Sequence, residues 1–108
     1  VGYASIAIPV VTVAEVPHGA YYSANPASSL LQTRTLMAHF ATIDLDTAIA
    51  DRFAAIKADL RRLGQAIADF DTLIGATGIV TVHTVVTNNL AHFQRLAPYG
   101  LTLENWVV

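Results

Sequence analysis

The segment DTAIADRFAAIKADLRRLG, Asp46 to Gly64, decides how the rest of the chain is to be read. Ile49, Phe53, Ile56, Leu60 and Leu63 recur at spacings of four, three, four and three, which lays them along one stripe of an α-helix. Arg52, Asp59, Arg61 and Arg62 fall off that stripe. Asp46 can cap the start, and Gly64 can end the helix in a left-handed conformation. An amphipathic helix is expected from Asp46 to Leu63, and such a helix needs an apolar surface to lie on.

That surface is sought outward in both directions. Downstream, DFDTLIGATG, Asp69 to Gly78, opens with two acids and runs into a segment with hardly any polar residue but threonine, so a second, mostly apolar helix is expected to about Val80. A β-branched strand near His83 to Thr87, a short helix near Leu90 to Leu96 and a final strand near Leu101 to Asn105 follow. Upstream, the β-branched run from Ile6 to Val13, interrupted at Pro9, suits a short strand leading into a helix around Thr12 to Tyr22. Pro17 is expected to kink that helix or reset its start. Asn25-Pro26 supplies an N-cap and a favoured first helical residue, with Leu30, Met37 and Phe40 near one face of the helix that follows. A short strand is expected near Thr42 to Leu45. Strands separated by helices argue for a parallel sheet covered on both faces.

With 108 residues there is room for one core, and a single domain over residues 1–108 is expected. Hydrophobic residues make up 54% of the chain and charged residues 13%, against about 45–50% and 25% in ordinary domains, so little charge is left for the surface. A partner or a second copy of the chain, as in a homodimer, is expected to cover part of it. No apolar run approaches the ~18 residues of a membrane span, because Glu15, Pro17 and His18 interrupt the richest one, so no membrane partner is expected. The lack of cysteine removes disulfides, thiolate catalysis and cysteine-based zinc sites together, and suits a reducing, cytoplasmic setting. A net charge of −2 excludes a domain that holds nucleic acid by electrostatics alone. Metal ions would have to offset phosphate repulsion.

In a parallel α/β sheet, ligands gather outside the carboxyl ends of the strands. Glu15 after IAIPVVTV, Asp71 after the Gly64 loop and Asn89 after HTVVT follow strand-like runs or open helices, and all three are hard oxygen donors. Converging in one cleft, they suit Mg²⁺ or Mn²⁺. Two such ions can orient an attacking water and stabilise the leaving oxygen of a phosphodiester. A plainer role is open to each. Asp69 and Asp71 can complement the positive end of the helix they open, worth about 0.3–1 kcal/mol each. Glu15, beside Val13, Ala14 and Val16, needs a partner that an arginine or a helix turn could also provide. Thr87-Asn88-Asn89 suits a helix cap as well as a ligand.

His18, His39, His83 and His92 show no zinc-binding spacing and read as surface or core histidines. Lys57, Arg61, Arg62 and Arg95 either line a nucleic-acid path or, for the first three, form the solvated face of their helix. Trp106 reads as an apolar anchor for the last strand.

VVTVAE at 10–15 with GAYYS at 19–23, KADLRRLG at 57–64, IADFDTLIGAT at 67–77, VVTNNLAHF at 85–93 and GLTLENWV at 100–107 stand in the order and at the spacing that resemble PIN-domain toxins of the VapC type. The resemblance implies a three-layer α/β/α fold with a central, mainly parallel sheet. It also implies the toxin component of a type II toxin–antitoxin system: an endoribonuclease that holds Mg²⁺ or Mn²⁺ with a cluster of acids, cleaves RNA, and is paired with a cognate antitoxin. The family's acid in the V-A-E block falls on Glu15, and its acid before the apolar helix falls on Asp71, with Asp69 beside it as a further candidate ligand. In the T-x-[DN] block the last position falls on Asn89, with Thr87 as a supporting hydroxyl, and His92 stands where some relatives place another acid.

Three departures from the family pattern are visible. The family's opening strand, whose aspartate is a central ligand, has no counterpart before Val1, so the chain is expected to begin part-way into its domain and the metal site to hold two formal negative charges. Pro17 replaces a good helix former beside Glu15. Gly75 and Gly78 stand where relatives have alanine, either at about 1 kcal/mol each in helix propensity or as room for another helix to pack closely. A second reading follows from the first departure: an incomplete PIN-like domain that dimerises or binds an antitoxin without catalysing.

Overall fold

The computed structural model describes residues 7–87 and 90–105, apart from the side chains of Glu15, Val16 and Asn105. Asn89 and Trp106 therefore lie outside the described residues. The chain forms two compact units, residues 1–44 and 45–108, and each contains its own parallel pair of strands.

In the first unit, β1 (Ala7–Pro9) leads into α1 (Val10–Tyr21), α2 (Pro26–Met37) and β2 (Ala41–Ile43). β1 pairs with β2 in parallel, Ala7 opposite Ala41 and Pro9 opposite Ile43. The helix begins earlier than the β-branched run suggests, because Pro9 itself takes the N-cap position. Pro17 lies inside α1, which continues to Tyr21 without a new start. Asn25 and Pro26 open α2 as expected, although the Asn25 side chain makes no capping bond. Leu30, Met37 and Phe40, the face expected of α2, are partly buried, with Phe40 just beyond the helix end, while Leu31 and Leu36 off that face are exposed and no residue of the helix is fully buried. The turn between α1 and α2 is closed by the Ser23 hydroxyl, which is 2.8 Å from the Ala20 carbonyl and 2.9 Å from Ser29 Oγ. Arg34 reaches back across the hairpin to the Tyr21 hydroxyl at 3.0 Å.

The second unit contains α3 (Thr47–Arg62), α4 (Asp69–Thr81), β3 (Val85–Thr87), α5 (Leu90–Phe93), a 3₁₀ segment (Gln94–Tyr99) and β4 (Leu103–Asn105). β3 pairs with β4 in parallel, Val85 opposite Leu103 and Thr87 opposite Asn105. The helix expected near Leu90 to Leu96 is thus an α-helical turn that tightens into 3₁₀ after Phe93.

α3 follows the stripe read from its sequence. The Asp46 carboxylate accepts the Ile49 N–H at 2.8 Å, and Ile49, Ile56 and Leu60 are buried. Gly64 (φ 68°) ends the helix: its N–H bonds to the Arg61 carbonyl while Gln65 N–H bonds to that of Leu60 at 2.8 Å. This is the paired closure that a left-handed residue permits. Leu63, the last member of the stripe, sits in that cap and is 64% exposed.

α4 solves a different problem. Thr72, Gly75, Ala76, Thr77 and Gly78 are buried, so the face it packs is made of small side chains. The buried hydroxyls turn back onto their own helix, Thr72 to the Ala68 carbonyl at 3.0 Å and Thr77 to that of Leu73 at 2.8 Å, and Thr81 does the same at the helix end. That is why threonine is nearly the only polar residue this segment carries. A Cβ at Gly75 would collide with Leu96 Cδ1, and one at Gly78 would lie 3.0 Å from both Leu101 Cδ1 and Val85 Cγ2. Of the two readings of these glycines, the structure bears out close packing, although what packs there is Leu96 of the 3₁₀ segment, Leu101 and Val85 of β3 rather than another α-helix. Leu96 and Leu101 join Ile56, Leu60 and Phe93 in the core of the unit.

The 3₁₀ segment is tied to α3 through Tyr99, whose hydroxyl donates to Asp59 Oδ2 at 3.0 Å. Arg62 donates to the other oxygen of Asp59 at 2.6 Å. The Arg62 bond first and the Tyr99 bond second hold Asp59 below the usual carboxylate value of 3.8, while desolvation and then Asp59 hold Tyr99 above its usual 10.0.

Three outcomes are expected. Gly75→Ala lowers stability by about 1–3 kcal/mol through overpacking, although helix propensity alone predicts a gain of about 1 kcal/mol; a rise in the denaturation midpoint contradicts this packing. Val82 ends α4 at φ 58° with its side chain 90% exposed, so Val82→Gly should stabilise by about 1 kcal/mol. Because Asp59's folded value is depressed, the stability it lends is in place above its unfolded value, near 3.8, and is lost as pH falls through the lower folded value. Tyr99→Phe should move the Asp59 carboxyl titration, followed by NMR, upward toward 3.8.

Candidate functional site

α4 begins at a residue that offers no side-chain cap, Ala68, so its exposed N–H groups are met by the charge of Asp69 and Asp71 in the first turn. Two positions along a helix is a rotation of about 200°, and the two acids accordingly have different neighbours. Asp69 turns to α3, with Oδ1 3.0 Å from Lys57 Nζ and both side chains about half exposed. Asp71 turns to α5, where His92 Nδ1 lies 3.1 Å from its Oδ2.

The Asp71 side chain is 23% exposed and that of His92 44%. A carboxylate only accepts, so the Nδ1 of His92 carries the proton in this contact. α5 is a single turn, but its next residue, Phe93, is buried in the core beside Leu96. Burial of Phe93 thus positions His92 over the start of α4.

The structure brings Asp71 and His92 together and directs Asp69 elsewhere. Glu15 lies within α1, in the other unit, with its side chain outside the described residues, and Asn89 lies outside them altogether. Among the described residues, no group of three or more His, Asp or Glu side chains is placed to hold a metal. The two donors that are placed, a carboxylate oxygen and an imidazole nitrogen, are both ligand types for divalent cations, so they fit two positions of such a site. Asp69 could add an oxygen only by leaving Lys57.

His92 has no zinc-binding spacing and stands where some relatives place another acid; its contact with Asp71 is what sequence reasoning did not foresee. Its signal was its place in the T-N-N-L-A-H-F block, three residues after Asn89.

The basic residues divide as well. Lys57 pairs with Asp69 and lies 5.7 Å from the centre of the Phe53 ring. Arg62 is engaged by Asp59, and Arg95 donates to the carbonyls of Gln65 and Ala66 at 3.2 Å, holding the α3–α4 loop. Arg61 makes no such bond among the described residues. With Lys57, Leu60, Ala66, Ile67, Asp69 and Thr72 it lines a cleft of about 230 Å³ between α3 and the start of α4.

Comparison with known proteins agrees with this architecture. The PIN domain family matches residues 2–97. The tRNA(fMet)-specific endonuclease VapC of Salmonella typhimurium is 32% identical over 100 residues, covering 89% of this chain and 71% of that protein. Ribonuclease VapC2 of Haemophilus influenzae is 32% identical over 97 residues, covering 90% and 72%. Among solved structures, DNA-bound VapBC from Salmonella typhimurium aligns with a TM-score of 0.88 at 30% identity, over 94% of this chain and 75% of that one. VapBC2 from Rickettsia felis bound to promoter DNA aligns with a TM-score of 0.88 at 27% identity, over 95% and 76%. The chain belongs to the PIN-domain family, in its VapC group, and has that family's α/β fold.

If Asp69 serves the helix start and Lys57 rather than a metal, Asp69→Asn should change stability by less than about 1 kcal/mol in thermal denaturation. Mn²⁺ affinity, measured by calorimetry, should stay within about threefold of the parent chain, well inside the 1.4 kcal/mol of a tenfold change. A tenfold fall would make Asp69 a ligand.

Proposed function

We propose that this chain is the toxin component of a type II toxin–antitoxin system, a metal-dependent endoribonuclease that hydrolyses RNA phosphodiester bonds. The family match over residues 2–97, with VapC ribonucleases as relatives, is the observation that carries the reading. Its partners are an RNA substrate and a cognate antitoxin protein, as in the VapBC assemblies it resembles. A homodimer, a single domain over residues 1–108 and a cytoplasmic setting complete the proposal. Among the described residues no helix is long and apolar enough to cross a membrane.

The proposed metal site comprises Glu15, Asp71 and Asn89, holding Mg²⁺ or Mn²⁺, with Asp69 in reserve behind its ion pair. What supports Asp71 is its placement: half-buried at the start of α4, with a histidine rather than a permanent cation as its partner. Bound there, a divalent ion supplies charge against the phosphate and lowers the pKa of a water. The chain's own side chains do the rest. Asp71 binds through its carboxylate, His92 keeps that carboxylate turned toward α5, and Arg61 offers a positive charge to the RNA backbone beside the cleft.

Purified chain incubated with tRNA and Mn²⁺ should produce discrete cleavage fragments, and chelation should stop the reaction. Metal stabilisation of a transition state is worth several kcal/mol, so Asp71→Asn should slow cleavage by about 100-fold or more. Unchanged cleavage by a folded Asp71→Asn variant removes Asp71 from the site.

A further inference from the structure

We infer that His92 is itself a ligand of the metal held at Asp71, making this a mixed oxygen and nitrogen site that favours transition ions such as Mn²⁺ and Co²⁺ over Mg²⁺. The inference rests on the metal-site reading above and deepens it. Its observation is the approach of His92 Nδ1 to Asp71 Oδ2 at 3.1 Å. Two ligands at right angles on an ion, each about 2.1 Å from it, stand about 3.0 Å apart. The two atoms are therefore already spaced as neighbouring ligands, and a turn of the imidazole is enough to aim Nδ1 at a shared ion instead of at Oδ2. With 44% of its side chain exposed and 23% of Asp71's, the pair is open to a hydrated cation. Coordination requires the neutral ring with its proton on Nε2, so an ion replaces the Nδ1 proton that bridges the pair in its absence.

The choice of ion follows from the donor types. Mg²⁺ favours oxygen and holds its waters tightly, and affinity for a site with nitrogen rises through the transition series from Mn²⁺ to Co²⁺. A neutral imidazole adds no negative charge, so it helps only those ions that accept nitrogen. Phe93, buried at 4% exposure immediately after His92, fixes the turn from which the ring projects.

The test is pulsed EPR of the Mn²⁺-loaded full chain in a nitrogen-free buffer, with Co²⁺ and Mg²⁺ titrated separately by calorimetry. The wild type should show ¹⁴N modulation from a coordinated imidazole. His92→Asp should retain Mn²⁺ and lose that modulation, while its Co²⁺ affinity falls at least about tenfold relative to Mg²⁺, a difference of 1.4 kcal/mol. Should His92→Asp unfold, His92→Asn keeps a donor for Asp71 and carries the same readout. Mn²⁺ that depends on Asp71, tested with Asp71→Asn, but shows no ¹⁴N modulation or keeps it in the His92 variants overturns the nitrogen ligand and leaves the metal site standing. Mn²⁺ that fails to bind, or binds equally to Asp71→Asn, overturns both.

Discussion

The close approach of Leu96 and Leu101 to the glycines of α4 is the constraint on which the second unit depends. Because Gly75 and Gly78 lack side chains, two leucines and Val85 lie against the helix where a methyl group would otherwise stand. That packing seats the 3₁₀ segment, β3 and Phe93 at once, and Phe93 carries His92 to Asp71. A stretch that looks poor as a helix, with two glycines and three threonines, is thus what lets the core reach α4. Its threonines satisfy their hydroxyls on the same helix, and among the described residues no buried side-chain polar atom lacks a partner.

Charge is scarce in this chain, and four acids of the second unit show how it is used. Asp46 caps α3, Asp59 anchors the 3₁₀ segment through Tyr99, and Asp69 pairs with Lys57 at the mouth of α4. Asp71 differs in its partner, an imidazole that is charged only when protonated. A carboxylate without a permanent cation beside it keeps its negative charge for a ligand, which is the physical ground for separating Asp71 from Asp69 despite their nearness in sequence.

Much of this was legible from residue order because the responsible interactions are local. The stripe and caps of α3 follow from spacings within one helix, and parallel pairing follows from strands separated by helices. The start of α1 was misplaced by two residues because a β-branched run does not reveal that Pro9 serves as a cap. The spacing of Leu30, Met37 and Phe40 marked the partly buried face of α2 but not that no residue of the helix would be fully buried. The role of Gly75 and Gly78 stayed open, since helix propensity counts against glycine whereas close packing requires it, and only the positions of Leu96, Leu101 and Val85 decide between them. At the site, Asp71 and Asp69 were recognisable as acids at a helix start. Their division between His92 and Lys57 depends on residues 21 and 12 positions away, a separation that periodicity does not encode.

The central claim is that Asp71 binds the divalent ion of a ribonuclease site. Anomalous diffraction from crystals of the full chain grown with Mn²⁺ tests it most directly. A peak within about 2.0–2.6 Å of an Asp71 carboxylate oxygen is the predicted result. A single Mn²⁺ peak beyond ligand distance of Asp71, with its carboxylate still bonded only to His92, would contradict it.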